Sequence, residues 1–172
     1  MTAQFEGVIM IRVAILTASD KASRGERQDR SAQVIRELVA GVGGEVVAYD
    51  VVPDVREVLA EKIVQYTDQE RVDLVLTTGG TGLGPRDVTP EATLDVVERL
   101  IPGIAEAMRL KGLEKTPHAM LSRSVAGSRG RALIINLPGS PRAVKENLEA
   151  VLPAIPHALE TLQGRGGECA RP

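Results

Sequence analysis

Segments 10–17, 45–52, 72–77 and 132–136 are short, apolar and rich in β-branched residues, and they alternate with stretches whose apolar residues recur at helical spacing. Ala32, Ile35, Leu38 and Val39 share a helical face after the first segment, and Val55, Leu59, Ile63 and Tyr66 share one after the second. Strands this continuously apolar cannot leave one sheet face in water. Separated by amphipathic helices, they specify β-α-β-α-β connections, in which each crossover lays a helix over a parallel sheet. The expected fold is a doubly wound, mostly parallel α/β sheet with helices on both faces, a three-layer α/β/α arrangement.

Local chemistry marks the helix ends. Asp29 is placed to cap a helix that runs to the glycine cluster at 41–44, and Asp54 with Glu57 has N-cap and N3 spacing. Thr89-Pro90-Glu91 reads as a cap, a proline at the first helical position and an acid in the first turn. A further helix follows Pro102. Pro141 opens another, with Ser140 at its N-cap and Val144, Leu148 and Val151 on one face, and Pro153 and Pro156 break or restart it. The segment 111–131 is the hardest to assign.

A chain of 172 residues and 18.3 kDa is the size of one domain, expected over 10–163, with 1–9 a short extension, Met10 an alternative start and 164–172 a flexible tail. A net charge of −2 argues against general affinity for nucleic acid or an anionic membrane. The aromatic residues are Phe5, Tyr49 and Tyr66, too few for base-stacking platforms. Cys169 is the single cysteine, which excludes an intrachain disulfide and a cysteine metal site and fits an intracellular, cytoplasmic protein. The apolar stretch 8–18 is interrupted by Arg12, is too short to span a bilayer and lacks the marks of a signal peptide. His118 and His157 have no partner at metal-ligand spacing and are expected to be structural or surface residues. Leu100, Ile101, Ile104, Ala105 and Met108 are expected in the core or a subunit contact.

In an open parallel sheet the loops that follow the strands gather at one edge, where ligands bind at the reversal of strand order. Those loops carry Ser19 and Asp20, then Asp54, then a run from Thr78 through Gly79, Gly80, Thr81, Gly82, Gly84 and Asp87 to Thr89, Pro90 and Glu91, and finally Pro138, Gly139 and Ser140. Glycines in the third loop free successive backbone N–H groups to cradle phosphate oxygens ahead of a helix start. It is not a Walker A loop, because no Gly-Lys-Ser/Thr follows. Nor is it a dinucleotide fingerprint, because Pro85 stands where a third glycine is needed. A tight connection forced by sheet geometry is the competing explanation.

Thr-Gly-Gly-Thr-Gly at 78–82 followed by Asp87-Val88-Thr89-Pro90-Glu91 resembles the MogA/MoaB family of molybdenum cofactor biosynthesis, which includes molybdopterin adenylyltransferases and the G domains of gephyrin and plant molybdenum-insertion proteins. Ser19-Asp20, Gly25, Asp29-Arg30-Ser31, Pro53-Asp54 and Leu137-Pro138-Gly139-Ser140-Pro141 match in the same order, so the resemblance covers roughly residues 10 to 160. It implies Mg²⁺-dependent transfer of AMP from ATP to the terminal phosphate of molybdopterin, with release of pyrophosphate. It also implies a homo-oligomer, a trimer or dimer of trimers, and a molybdenum-insertion protein as a possible partner. The catalytic aspartates of the family map onto Asp54 and Asp87.

A phosphate monoester has a second pKa of about 6, so the acceptor is largely dianionic at neutral pH and needs little general-base help. The difficulty is its repulsion by a polyanionic ATP, which Mg²⁺ on one or two carboxylates relieves. Asp54 and Asp87 are thus expected as metal ligands or holders of metal-bound water, with Asp20 a weaker third candidate. For Asp54 simple capping competes, for Asp87 a bond to its own turn, and Asp29 is expected only to cap. Ser140 is divided between cap and phosphate contact. Ser122 and Arg123, with Arg129 and Arg131, are candidates for the pterin phosphate because guanidinium pairs with phosphate through two parallel hydrogen bonds, with solvated loop charge as the alternative. A protein of this fold that binds molybdopterin without turnover is the alternative function.

Overall fold

In the computed structural model, which describes residues 10–165, strand β1 (Ile11–Ala18) lies inside the sheet with β2 (Gly44–Val52) on one side and β3 (Leu74–Thr78) on the other, both parallel to it. β6 (Ala132–Leu137) pairs parallel with β3 and completes the set anticipated from composition. Two strands were not anticipated: β4 (Arg99–Leu100) and β5 (Ala126–Arg129) add antiparallel pairs, giving the order β2-β1-β3-β6-β5-β4. β5 carries Gly127 and Ser128 instead of an apolar run, so periodicity gives no sign of it. A Cβ at Gly127 would stand 2.6 Å from the Arg99 carbonyl, which explains the glycine as a requirement of close strand approach.

Alternation along the central strands feeds two cores. Val13, Ile15, Leu74, Leu76, Leu133 and Ile135 join the helices α2 (Arg30–Ala40), α5 (Pro102–Leu113), α6 (Pro141–Val151) and α7 (Ile155–Leu162) on one face. Ala14, Leu16, Val75 and Ile134 join α3 (Arg56–Val64) and α4 (Thr89–Val96) on the other. This is the three-layer α/β/α fold that continuous apolar strands require. Ala105 and Met108 lie in the core, whereas Leu100 is exposed. No helix among the described residues is long and apolar enough to cross a membrane.

Asp29 and Ser140 cap α2 and α6 as their spacing suggests, accepting from the amides of Ala32 and Ala143. Asp54 does not cap: the N-cap of α3 is Val55, without a side-chain bond, and the Asp54 carboxylate is turned elsewhere. Thr89 is the first residue of α4, not its cap, and its hydroxyl makes no hydrogen bond. The segment 111–131 contains the end of α5, a 3₁₀ turn at Pro117–Leu121 and β5. At the start of the expected tail, the amides of Gly164 and Arg165 donate to the Thr161 and Glu160 carbonyls, with Gly164 at φ +68° closing α7. Residues 1–9 and the rest of the tail with Cys169 lie outside the described residues.

Candidate active site

Strand order reverses between β1 and β3, and a cavity of about 610 Å³ opens beyond their carboxyl ends, as the switch-point rule requires. Its lining includes Ser19 from the loop after β1, Asp54 after β2, Gly79, Gly80 and Asp87 after β3, and Gly139 and Ser140 after β6. These residues, scattered across the sequence, are brought together by the parallel sheet alone.

The first two loops are tied to each other. A short helix, α1 (Asp20–Ser23), follows β1, with Ser19 capping it through the amide of Ala22 at 3.1 Å. Its first amide, of Asp20, donates to Asp54 Oδ2 at 2.9 Å, and the Asp54 amide returns a bond to Asp20 Oδ1 at 3.0 Å. Arg86, from the third loop, closes on the Asp20 carboxylate with Nη2 at 2.9 Å and Nε at 3.0 Å. These bonds, and the charge of Arg86, hold the Asp20 carboxyl below its ordinary range. Both Asp20 oxygens are therefore engaged within the protein, and Asp20 stands beside the cavity rather than in its lining. Asp54 is the opposite case. Burial pushes its carboxyl up, and the charges of Asp20 and Asp87 push further, so the fold has placed a carboxylate where it resists ionisation without a cation.

The glycine-rich loop is organised around Asp87. The Gly84 amide donates to Asp87 Oδ2 at 2.8 Å, and a Cβ at either Gly82 or Gly84 would stand 2.8 Å from that oxygen. Those glycines make room for a carboxylate of the chain itself. Gly79 and Gly80 do reach the cavity, both at positive φ, but the Gly79 amide donates to the Leu137 carbonyl. A Cβ at Gly80 would collide with Thr89 Oγ1 and stand 3.3 Å from Asp54 Oδ1. Thr89 is fully buried, and its hydroxyl is the one buried side-chain polar atom without a partner among the described residues. Beyond β6, the Pro138 carbonyl accepts from Thr78 Oγ1 at 2.7 Å, and the Gly139 carbonyl from Ser31 Oγ at 2.8 Å, so the last loop is fixed to β3 and α2.

Several expected contacts are absent from the cavity. Arg123 is clamped behind the glycine-rich loop, donating to the Gly82 and Asp87 carbonyls and paired closely with Glu91. Glu91 and Arg123 thus brace α4 against the loop, and the Arg123 amide binds the carbonyl of the buried Thr81. Ser122 faces Ser124 and Arg109. Arg129 pairs with Asp68 and Arg131 with Asp73, away from the cavity lining. Pro90 is buried in the first turn of α4. The arginines are satisfied by acids that sequence spacing does not connect to them.

Other residues enter that the sequence did not single out. Arg27, Gln28 and Arg30 line the cavity, and Asp29 lies between them. Asp29 does more than cap: its Oδ2 accepts from Thr17 Oγ1 at 2.5 Å and from Tyr49 at 2.7 Å, and burial followed by the Asp29 bond pushes the Tyr49 hydroxyl up to about 12. The matched string Asp29-Arg30-Ser31 was the available signal.

The residues suit a small, hard divalent cation. Among the described residues no group of three or more His, Cys, Asp or Glu side chains is placed to hold a metal, so Asp54 and Asp87 would need water and substrate phosphates to complete a shell. Mg²⁺ is usually bound in that way. The missing side chain at Gly80 keeps the backbone clear of Asp54 Oδ1, from which a Cβ would stand 3.3 Å.

Comparison with known proteins agrees with the geometry. Residues 14–157 match the family described as "Probable molybdopterin binding domain". The chain is 42% identical over 156 residues to the molybdopterin adenylyltransferase of Helicobacter pylori strain J99, covering 90% of this chain and 89% of that protein. It is 36% identical over 168 residues to the enzyme of the same name from Escherichia coli K12, covering 90% and 86%. Among solved structures, the molybdopterin biosynthesis enzyme MoaB of Thermus thermophilus superposes with a TM-score of 0.86 at 57% identity, covering 90% of this chain and 98% of that one. The chain belongs to the MogA/MoaB family of molybdenum cofactor biosynthesis.

Proposed function

We propose that this chain is a molybdopterin adenylyltransferase, using ATP and Mg²⁺ to transfer AMP to the terminal phosphate of molybdopterin. The observation that carries the reading is the convergence of Asp54 and Asp87 on one cavity at the carboxyl edge of the sheet. An oxygen of the acceptor phosphate forms a bond to the α-phosphorus as the bond to the α–β bridging oxygen breaks, and the electron pair leaves with pyrophosphate. The acceptor is already dianionic, so no residue need remove a proton. Bound Mg²⁺ would neutralise the repulsion between acceptor and nucleotide and align them.

The chain's own part is placement. Asp54 is held through Oδ2 by the Asp20 amide, leaving Oδ1 beside the Gly80 floor, and Asp87 is held by the Gly84 amide. Both carboxylates are pre-oriented, which is the condition for charge stabilisation without reorganisation during the reaction. Exposed Leu110, Met120 and Leu121 support a homo-oligomer, a trimer or dimer of trimers, and the family supports a cytoplasmic setting and a molybdenum-insertion protein as a partner.

Purified protein given molybdopterin and Mg-ATP is expected to release pyrophosphate. Asp87→Asn, which keeps an oxygen for the Gly84 amide, should cut turnover about 100-fold while changing molybdopterin affinity less than about threefold, because its charge matters mainly in the transition state. Pterin binding without pyrophosphate release would assign the chain to binding without turnover.

A further inference from the structure

Asp54 and Asp87 reach one cavity from separate loops, after β2 and after β3, and their charges repel each other. Two carboxylates that share a cation must be held to within about 0.5 Å of the productive spacing, so something has to fix one loop against the other. The bonds inside the glycine-rich loop do not. The Gly84 amide donates to Asp87 Oδ2 and the Asp87 amide to the Gly84 carbonyl, which shapes the turn alone. Arg123 grips the Gly82 and Asp87 carbonyls from behind and is anchored on Glu91 of α4, with no bond to the loops after β1 or β2.

Arg86 supplies that link. Among the described residues, its two bonds to Asp20, at 2.9 and 3.0 Å, are the only hydrogen bonds from segment 81–88 to the loops after β1 and β2. Asp20 passes the constraint on, because its Oδ1 accepts from the Asp54 amide while its own amide donates to Asp54 Oδ2. A guanidinium fork closed on both carboxylate oxygens fixes direction as well as distance, which a single ammonium contact does not. Arg86 precedes Asp87 in the chain, so the clamp acts on Asp87 through one peptide unit. Its charge also attracts Asp54 and offsets part of the repulsion that spreads the two acids. Neither Arg86 nor Asp20 lines the cavity, so the pair is placed to act on the site from outside it. Stability does not account for the pair. The Arg86 side chain is 62% exposed, and an ion pair so exposed adds little to folding.

We propose that Arg86 is a positioning residue: through Asp20 it sets the separation of Asp54 and Asp87 that a shared divalent cation needs, without touching the substrate. The cation is that of the proposed AMP transfer, so this role rests on that reading. Asp20, the weaker third metal candidate, is thereby reassigned to the clamp.

The test is calorimetric titration of the full chain with Mg-ATP, and with ATP in EDTA, beside pyrophosphate release with molybdopterin as a function of Mg²⁺. The proteins compared are the parent, Arg86→Met, Asp20→Asn, which keeps Oδ1 for the Asp54 amide, and the double variant. Each single change should weaken Mg-ATP binding and raise the Mg²⁺ requirement of turnover about tenfold, a common cost of losing a partner behind a metal ligand. ATP binding in EDTA, the KM for molybdopterin and the melting temperature should stay at parent values, and the double variant should be no worse than Arg86→Met. Arg86→Lys, which restores the charge without the fork, should recover part of the loss. Losses that multiply in the double variant, or weaker ATP binding in EDTA, would show that Arg86 meets the nucleotide itself and overturn the clamp. Parent-like Mg-ATP binding and Mg²⁺ requirement in both single variants would overturn it as well, and in each case the adenylyltransferase reading stands. Mg-ATP binding that depends on Arg86 only through Asp20, in a chain that never releases pyrophosphate, would support the clamp and sink the transferase reading instead.

Discussion

The main-chain amides of Asp20 and Asp54 each donate to the other's carboxylate, at 2.9 and 3.0 Å, so the loops after β1 and β2 are locked in one register. With Arg86 reaching over from the third loop to Asp20, a single carboxylate joins three strand ends. Asp20 is thereby neutralised within the protein, which leaves Asp54 and Asp87 as the unpaired acids of the cavity lining apart from the shared Asp29.

Asp54→Asn separates the charge of this residue from its shape. An amide oxygen still accepts from the Asp20 N–H, so the loops should stay locked, while the repulsion from Asp20 and Asp87 disappears. Because the Asp54 carboxyl is pushed up, its contribution to folding is present at acidic pH and lost as pH rises through its folded value. At neutral pH the variant is expected to melt at or slightly above the parent temperature, with turnover reduced about 100-fold. A large drop in melting temperature would show that the charge, not only the oxygen, holds the loops together.

The fold was legible because strands buried on both faces leave a compositional trace, as in Leu133-Ile134-Ile135. β4 and β5 left none, since two edge residues and a Gly-Ser pair have no period to read. Of the residues expected at the site, those at strand ends are gathered by the sheet: Ser19, Gly79, Gly80, Asp54, Asp87, Gly139 and Ser140 all line the cavity. Arg123 reads from sequence as either a phosphate contact or a solvated loop charge, because nothing in the sequence connects it to its partner, Glu91, 32 positions away.

A second relationship concerns stability and pH. Buried Tyr66 donates to Asp50 Oδ2 at 2.6 Å, and Lys62 pairs with the same oxygen at 3.1 Å. Burial pushes the Asp50 carboxyl up, but the two bonds outweigh it and hold the group below its ordinary range. A depressed carboxyl stabilises the fold above its unfolded pKa, and that stability is lost as pH falls through the folded value. Tyr66→Phe should cost about 1 kcal/mol at pH 7 and flatten the acid limb of the stability curve, measured by urea unfolding across pH 2–7. An unchanged acid limb would show that Lys62 alone sets it.

Assembly is open to a direct test. Leu110 is 67% exposed on α5 and Met120 61% exposed on the 3₁₀ turn that packs against it, so two neighbouring elements each present a large apolar side chain to solvent. The parent is expected to sediment as a trimer or larger at micromolar concentration. Leu110→Glu with Met120→Glu should yield an 18.3 kDa species that keeps the parent circular dichroism. A parent that is itself monomeric would refute the oligomer.

Thr89 allows stability and binding to be set against each other. Its hydroxyl is buried without a partner, a state that costs about 1–3 kcal/mol relative to a satisfied group. Val has nearly the same shape and no hydroxyl, and the bond from Thr93 Oγ1 reaches the Thr89 carbonyl at 2.9 Å, which the substitution leaves in place. If the hydroxyl is held for an occupant beside Gly80 and Asp54, Thr89→Val should melt at the parent temperature or up to a few degrees higher, while Mg-ATP affinity falls about tenfold. Thr89→Ser, which restores the oxygen but not the methyl group, should recover most of that affinity at some cost in melting temperature. Scanning calorimetry with and without Mg-ATP reads both effects in one experiment. A Val variant that loses several degrees without ligand would show that the hydroxyl is satisfied inside the free protein, and Thr89 would then belong with Thr93 and Asn136 in the buried polar network that fixes α4 to the sheet.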